Sequence, residues 1–440
     1  MKNKKLSLLS LSIPILIEQI LRSLMGTVNA FMLSRLSDDA AAAVGVANQV
    51  LSVVTIGSSM LATGAAVLVN QAIGGHRDRD AADITVNSLL ATGVLGLFMS
   101  GFTLLFSIQI VAFMGLTGEL ADYASDYLRI VGGSCVLQFV SGMLNSHFRC
   151  RGKAHVVASV ILLINLLNLA GSWLVVGGRF FLRGVAGIAT VRLIAEAVGL
   201  GTLILLFRRE NWGFKLRGLI RPNPDWLKQI VRLGFMSGLE GISYLTAQLI
   251  TIRFITGYPT ASLSAKIYTQ SINGYTYMVG HSIGLAAQIL CGQLIGAGRV
   301  MDADRLMKRS WAYVFGFDVG FALLFYAFSN QLVGLFTQST EIRAIAHTLF
   351  LIDIVTCAGR SMNHSFNLGL YSARYALWPM IIANVSIWAV QVGMGSVLTI
   401  SAGLGVVGLW IAQALDEWTR GIAVSWLWLR KKWIAKAAER

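Results

Sequence analysis

Glu18, Arg22, Glu240, Arg253, Lys266, Asp353 and Arg360 stand inside stretches of this 440-residue chain that are otherwise apolar. A charged side chain surrounded by hydrocarbon costs about 2.5–3.5 kcal/mol or more, so each of these needs a partner, water or a bound ion. Glu18 and Arg22 are four residues apart on one helix face and can neutralise each other. Glu240 has no basic residue three or four positions away, so its partner must come from another helix, from water or from a bound cation. A fixed ion pair with Lys266 is the structural alternative. A carboxylate so placed can cycle between protonated and ionised states, which is the chemistry of cation coupling. Asp353 and Arg360 lie two turns apart on a similar face and could line a cavity, whereas Asp416, Glu417 and Arg420, with Trp418 among them, read as an interhelical lock. His147, His281 and His364 are isolated and read as satisfied polar contacts. Cys135, Cys150, Cys291 and Cys357 lack the paired spacing of a metal site or disulfide framework and read as packing residues.

The elements that must hold these residues are membrane-spanning helices. The chain is 55% hydrophobic and 13% charged, with mean hydropathy +0.66, whereas a soluble domain carries roughly 25% charged residues. Apolar runs of about 18–25 residues recur, each long enough to cross a bilayer. They predict twelve helices, the first six over roughly 10–34, 45–72, 85–115, 124–148, 155–178 and 184–207. The second six cover roughly 232–256, 263–295, 310–334, 343–370, 376–400 and 404–429. The domain division is an N-terminal six-helix lobe over 1–207, a cytoplasmic linker over 208–231 and a C-terminal six-helix lobe over 232–440. The linker carries Arg208, Arg209, Lys215, Arg217, Arg221 and Lys228.

The net charge of +15 does not form a nucleic-acid face, because the basic residues sit in short clusters between apolar runs. One set of alternate loops holds about 25 of the 36 basic residues, against about five in the other set, a strong positive-inside bias. Lys2, Lys4, Lys5, Arg77, Arg79, Arg149, Arg151 and Arg299 belong to the rich side, which places both termini in the cytoplasm. The opposite loops are acidic or neutral, as at Glu119, Asp122 and Asp126. Met1 to Gly26 resembles a secretory signal, but no small-x-small cleavage site follows, and it reads as an uncleaved first helix. Trp173, Trp388, Trp410, Trp426 and Trp428 fit interfacial belts, and Gly292 with Gly296 fits close helix packing.

The two halves repeat each other. Gln71 to Arg77 returns as Gln293 to Arg299 (293 − 71 = 222), Glu18 as Glu240 (240 − 18 = 222), and Gly184-Val-Ala-Gly187 as Gly405-Val-Val-Gly408 (405 − 184 = 221). An even number of helices per half makes the repeat parallel, an architecture that places a cavity between two rocking lobes and is suited to alternating access. No GxxxxGK[ST] phosphate loop and no HExxH occur, so the reading is an ion gradient as energy source, with no cofactor besides a coupling Na+ or H+. A membrane-embedded enzyme lacks a catalytic constellation.

The chain resembles the multidrug and toxic compound extrusion (MATE) family along nearly its whole length. The segments that carry the resemblance are Ile13-Pro14 through Met25 to Asn29, Ala40 to Gln49, Gln71 to Arg77, Arg232 to Phe235, Gln293 to Arg299, Ser372 to Pro379 and Gly405 to Arg420. The resemblance implies an all-α integral membrane protein of two pseudo-symmetric six-helix bundles. It also implies export of organic, often cationic, compounds in exchange for Na+ or H+. Two positions depart from the family pattern: Asn29 stands where many members carry an acid, and Tyr244 where many carry a glutamate, with Glu240 one turn earlier. Asp353 lies about two turns too early for the tenth-helix acid of the sodium-coupled branch. The expected cation-coupling residues are therefore Glu240, Glu18 and Asp353, and the expected substrate cavity is lined by Gln19, Arg22, Asn29, Tyr244, Lys266, Gln270 and Arg360. The expected setting is a monomer in the cell inner membrane, acting on a small organic molecule. A flippase for a lipid-linked sugar or polar lipid is the alternative, and Arg22, Arg253, Lys266 and Arg360 are the cations it would use.

Overall fold

The computed structural model describes residues 7–178, 182–210 and 222–438. Twelve long helices organise them. The first six are α1 (Leu8–Ser34), α2 (Asp38–Gly74), α3 (Asp78–Phe113), α4 (Glu119–Gly132 continued by Cys135–Cys150), α5 (Ala154–Val176) and α6 (Gly184–Arg209). The second six are α7 (Pro224–Ile255), α8 (Thr260–Gly296), α9 (Val300–Ala327), α10 (Thr340–Ser372), α11 (Leu377–Ser401) and α12 (Gly405–Leu429). The two parts of α4 meet at 46°, just after a π-helical turn at Leu128–Gly132. Short helices at Ser329–Gly334 and Trp433–Ala438 complete the set.

Among the described residues, nine of these helices are long and apolar enough to cross a membrane, and the bent α4 makes a tenth. The two that fall short are α7 and α12, and the reason is charge. α7 carries Asp225, Lys228, Arg232, Glu240 and Arg253, and α12 carries Asp416, Glu417 and Arg420. On the other helices large apolar side chains point outward, as Leu97, Phe98 and Leu105 do from α3. Such a surface would be an aggregation hazard in water and is the expected one in lipid.

Several sequence expectations are corrected. α7 begins at Pro224, ahead of the expected 232, because Asp225, Trp226 and Leu227 already continue its helix. Lys215, Arg217 and Arg221 of the linker, and Lys2, Lys4 and Lys5, lie outside the described residues. Trp173, Trp388 and Trp426 are exposed as belt residues should be, but Trp410 and Trp428 are buried. Trp428 donates to Asp304 at 2.8 Å and stacks on Trp433, so its polar edge is satisfied inside the protein. The four cysteines are buried and free, as packing residues are.

The chain divides into two compact units. One holds Pro14–Ile73 and Arg77–Gly238; the other holds Leu239 onward, with the start of α1 up to Ile13 and Gly74–His76. Their cores are built from matching positions. Leu33, Ala43, Val111, Ala124 and Leu128 lie in the core of the first unit. Ile255, Ala265, Val333, Ala346 and Phe350, each 222 residues later, lie in the core of the second. After the last helix-helix loop the spacing becomes 221, with Val185 and Ile188 answered by Val406 and Leu409. The repeat read from short motifs thus extends to the packing of each unit.

Candidate functional site

Glu240 sits on α7, and its carboxylate faces α10 and α12. Asn367 donates to Oε1 at 3.3 Å and the Tyr371 hydroxyl to Oε2 at 3.3 Å. The Arg420 guanidinium stands 4.0 Å from Oε1. Two features of the chain make this meeting possible. The first is a π-helical turn at Asn363–Asn367 within α10, the kind of irregularity that recurs at functional sites because it re-aims side chains. It directs Asn363 to Glu417 and Asn367 to Glu240. The second is a pair of glycines that lets α10 and α12 approach closely. A Cβ at Gly359 would come within 3.0 Å of the Trp418 backbone nitrogen, and one at Gly421 within 2.8 Å of the Gly359 carbonyl oxygen.

The close approach creates a buried charge network. Arg420 binds Asp416 at 2.7 Å and Glu417 at 3.3 Å, and Arg360 binds Glu417 at 3.3 Å. Asn363 donates to Glu417 at 2.7 Å, and Ser386 to Asp416 at 2.7 Å. Three carboxylates (Glu240, Asp416, Glu417) face two guanidiniums (Arg360, Arg420), leaving one negative charge in excess when all are ionised. The excess is not shared evenly. Asp416 and Glu417 each accept a contact of 2.7 Å, whereas every partner of Glu240 is at 3.3 Å or more. The side chain of Glu240 also keeps 20% exposure, against 1% for Asp416 and 9% for Glu417. Glu240 is therefore the least tightly held and most exposed carboxylate of the three.

The acidic cluster of α12 forms the expected interhelical contacts, with Glu417 on Arg360 and Asn363 and Asp416 on Ser386, and Arg420 also reaches Glu240. The expected alternative pair of Glu240 with Lys266 does not form: Lys266 Nζ has no hydrogen-bond partner among the described residues. Tyr244, one turn after Glu240, accepts a hydrogen bond from Gln248 at 2.9 Å. Asp353 accepts from Asn273 of α8 and lies within electrostatic reach of Arg360, and Gln270 is exposed. His281 and His364 are not isolated as expected. Their rings lie 5.8 Å apart and both contact Tyr277, whose other neighbour is Arg360, with its guanidinium 6.0 Å from the Tyr277 ring centre.

The remaining candidates lie in the first unit. Glu18 is held by Arg149 at 2.8 and 3.0 Å and by Arg22 at 3.2 Å, so the expected Glu18–Arg22 pair forms within a triad. Asn29 accepts from Asn168 at 2.6 Å, and Gln19 is half-buried. His147 meets Ser88 at 2.9 Å, as a satisfied polar histidine does. A second buried cluster escaped the sequence reading: Arg192 donates to the Tyr127 hydroxyl at 2.6 Å and pairs with Glu196 at 3.3 Å. Its signal was available as a four-residue Arg–Glu spacing inside an apolar run. Asn367 and Tyr371 were also missed, although 367 − 145 and 371 − 149 both equal 222, the offset that relates Glu240 to Glu18.

The MatE family model matches residues 14–174 and again 237–397, two matches that begin 223 residues apart (237 − 14). The chain is 33% identical over 439 residues to the uncharacterized transporter YisQ of Bacillus subtilis, covering 99% of this chain and 96% of that one. It is 25% identical over 434 residues to the probable multidrug resistance protein NorM of Thermotoga maritima, covering 98% and 93%. Among solved structures, a MATE protein in its bent conformation superposes with a TM-score of 0.90 at 20% identity, covering 98% and 95% of the two chains. An outward-facing multidrug resistance MATE family transporter of the MOP superfamily gives 0.89 at 20% identity, covering 98% and 96%.

Proposed function

The chain belongs to the MATE family of membrane transporters, and from that premise we propose that it is a secondary antiporter. It exports organic compounds, cationic or amphipathic, in exchange for Na+ or H+, with Glu240 as the coupling carboxylate. The observation that carries the reading is the excess negative charge of the Glu240 network and its concentration on the least tightly held, most exposed member. A proton or cation on Glu240 neutralises the cluster. Its departure leaves a charge that favours the partner cation and drives exchange, the differential interaction that alternating access requires. Glu18, held by two guanidiniums, supports the fold of its own unit and leaves coupling to Glu240. The working arrangement is a monomer in the cell inner membrane with both termini cytoplasmic.

The flippase reading calls for free cations, and two of its four are occupied: Arg22 by Glu18 and Arg360 by Glu417. The test is transport in vesicles with imposed sodium or proton gradients. Glu240→Gln is expected to abolish gradient-driven export while leaving the folded protein intact. Full gradient-driven export by that variant overturns the assignment.

A further inference from the structure

Asp318 on α9 is absent from the network above, yet it is the more unusual carboxyl. It is fully buried, and neither oxygen has a hydrogen-bond partner among the described residues. It lies against the backbone of α8 at Gly280, where a Cβ would come within 2.6 Å of both oxygens, so the glycine is what makes room for the acid. A buried carboxylate without hydrogen bonds or a paired cation costs several kcal/mol, and such a group becomes neutral instead. The guanidinium within electrostatic reach, Arg360, is already engaged by Glu417.

The surroundings of Gly280 extend the observation. Lys266, Thr269, Asn273, Thr276 and Gly280 follow one another at three- and four-residue spacing, so they form one stripe along α8. Lys266, Thr269 and Thr276 are buried, and Lys266 Nζ and both threonine hydroxyls have no partner among the described residues. Asn273 meets Asp353 of α10 in the middle of the stripe. From 266 to 280 the stripe rises about 21 Å, most of a hydrocarbon core about 30 Å thick. Polar groups without protein partners, in line within a membrane-spanning unit, are the makings of a proton relay.

We propose that Asp318 is a proton-binding carboxyl of the C-terminal unit, separate from Glu240, that exchanges its proton along the buried polar stripe of α8. A proton fits better than a metal cation. Hard cations need oxygen ligands on several sides, and one side of this carboxyl is closed by the α8 backbone at Gly280. The titratable and charged groups around Asp318 are consistent with a neutral acid. Tyr277 and His281 flank Gly280 on α8; α10 brings Asp353, Cys357 and Arg360, and its π-helical turn brings His364. Glu417 approaches from α12 and offsets Arg360. The short helix after α9, Ser329–Gly334, carries no charge.

The role of this proton in exchange rests on the antiport reading, but its presence does not. Infrared difference spectra of the full-length reconstituted protein over a pH step report protonated carboxyls through their C=O stretch. Asp318→Asn is expected to remove one component of that band, and Glu240→Gln to leave the same component in place. An Asp318→Asn spectrum that matches the unaltered protein overturns the proposal. Should that variant not fold, Thr276→Val tests the path alone: deuterium exchange at the band is expected to slow several-fold, and an unchanged rate overturns it. In vesicles, Asp318→Asn is expected to return one proton fewer per substrate exported, and an unchanged ratio excludes Asp318 from the exchange. Failure of the antiport reading looks different: export by the unaltered protein would ignore both imposed gradients.

Discussion

Glu18 and Glu240 occupy the same place in two copies of one scaffold, and their neighbours decide what each can do. In the first unit the residue on the facing helix is Arg149, which holds Glu18 at 2.8 Å, with Arg22 completing a triad of one acid and two bases. In the second, 222 residues on, it is Tyr371, which offers Glu240 one hydroxyl at 3.3 Å. The asparagine one turn earlier on that helix is common to both, as Asn145 and Asn367. Replacing both guanidiniums by phenols, Arg149 by Tyr371 and Arg22 by Tyr244 (244 − 22 = 222), leaves a carboxylate whose guanidinium neighbour, Arg420, stands 4.0 Å away. Two equivalent positions thus carry different neighbours: Glu18 is held by two guanidiniums, and Glu240 by one hydroxyl, one amide and a guanidinium at 4.0 Å.

The comparison can be broken most severely by neutralising both acids in turn. Glu18→Gln leaves Arg149 and Arg22 without their anion, and is expected to cost about 3–5 kcal/mol, the usual penalty for removing one partner of a buried pair. Thermal unfolding in detergent checks it, and a melting temperature equal to that of Glu240→Gln would erase the distinction. Tyr371→Arg should move the second site towards the first, restoring one of its two guanidiniums. It places a guanidinium on Glu240 and is expected to lower coupled export about 10- to 100-fold while the protein stays folded, measured as initial rates in energised vesicles. Tyr371→Phe is the mildest change. Loss of one hydrogen bond to the carboxylate, about 1 kcal/mol, leaves the anion less well stabilised and should tighten its affinity for the coupling cation about fivefold, read from the cation dependence of export.

The sequence made the architecture legible because hydropathy and the repeat are properties of whole segments. Twelve helices, the pairing of Glu18 with Arg22 and the oddity of Glu240 all follow from spacing along one helix. The partners of Glu240 do not. Asn367 reaches it through a π-helical turn that no residue pattern announces, and Arg420 reaches it because Gly359 and Gly421 let two helices touch. Asp318 was passed over because one acid in an apolar helix gives no sign of whether its oxygens will find donors. Trp410 and Trp428 were misplaced for the same reason, since amphipathic rings suit an interface and a satisfied interior equally well.

α7 and α12 are the two long helices too polar to pass as spans on their own, and they carry the two ends of the Glu240–Arg420 contact. A ribosome making this chain delivers Arg420 after a further 180 residues (420 − 240), roughly 10–40 s later at about 5–20 residues per second. During that interval α7 holds its acid in or near the bilayer without the cation that will later face it. The second unit therefore cannot finish assembling until the last helix has left the ribosome. A chain cut short before α12 would expose α7 as a poorly inserted segment, a natural mark for membrane quality control.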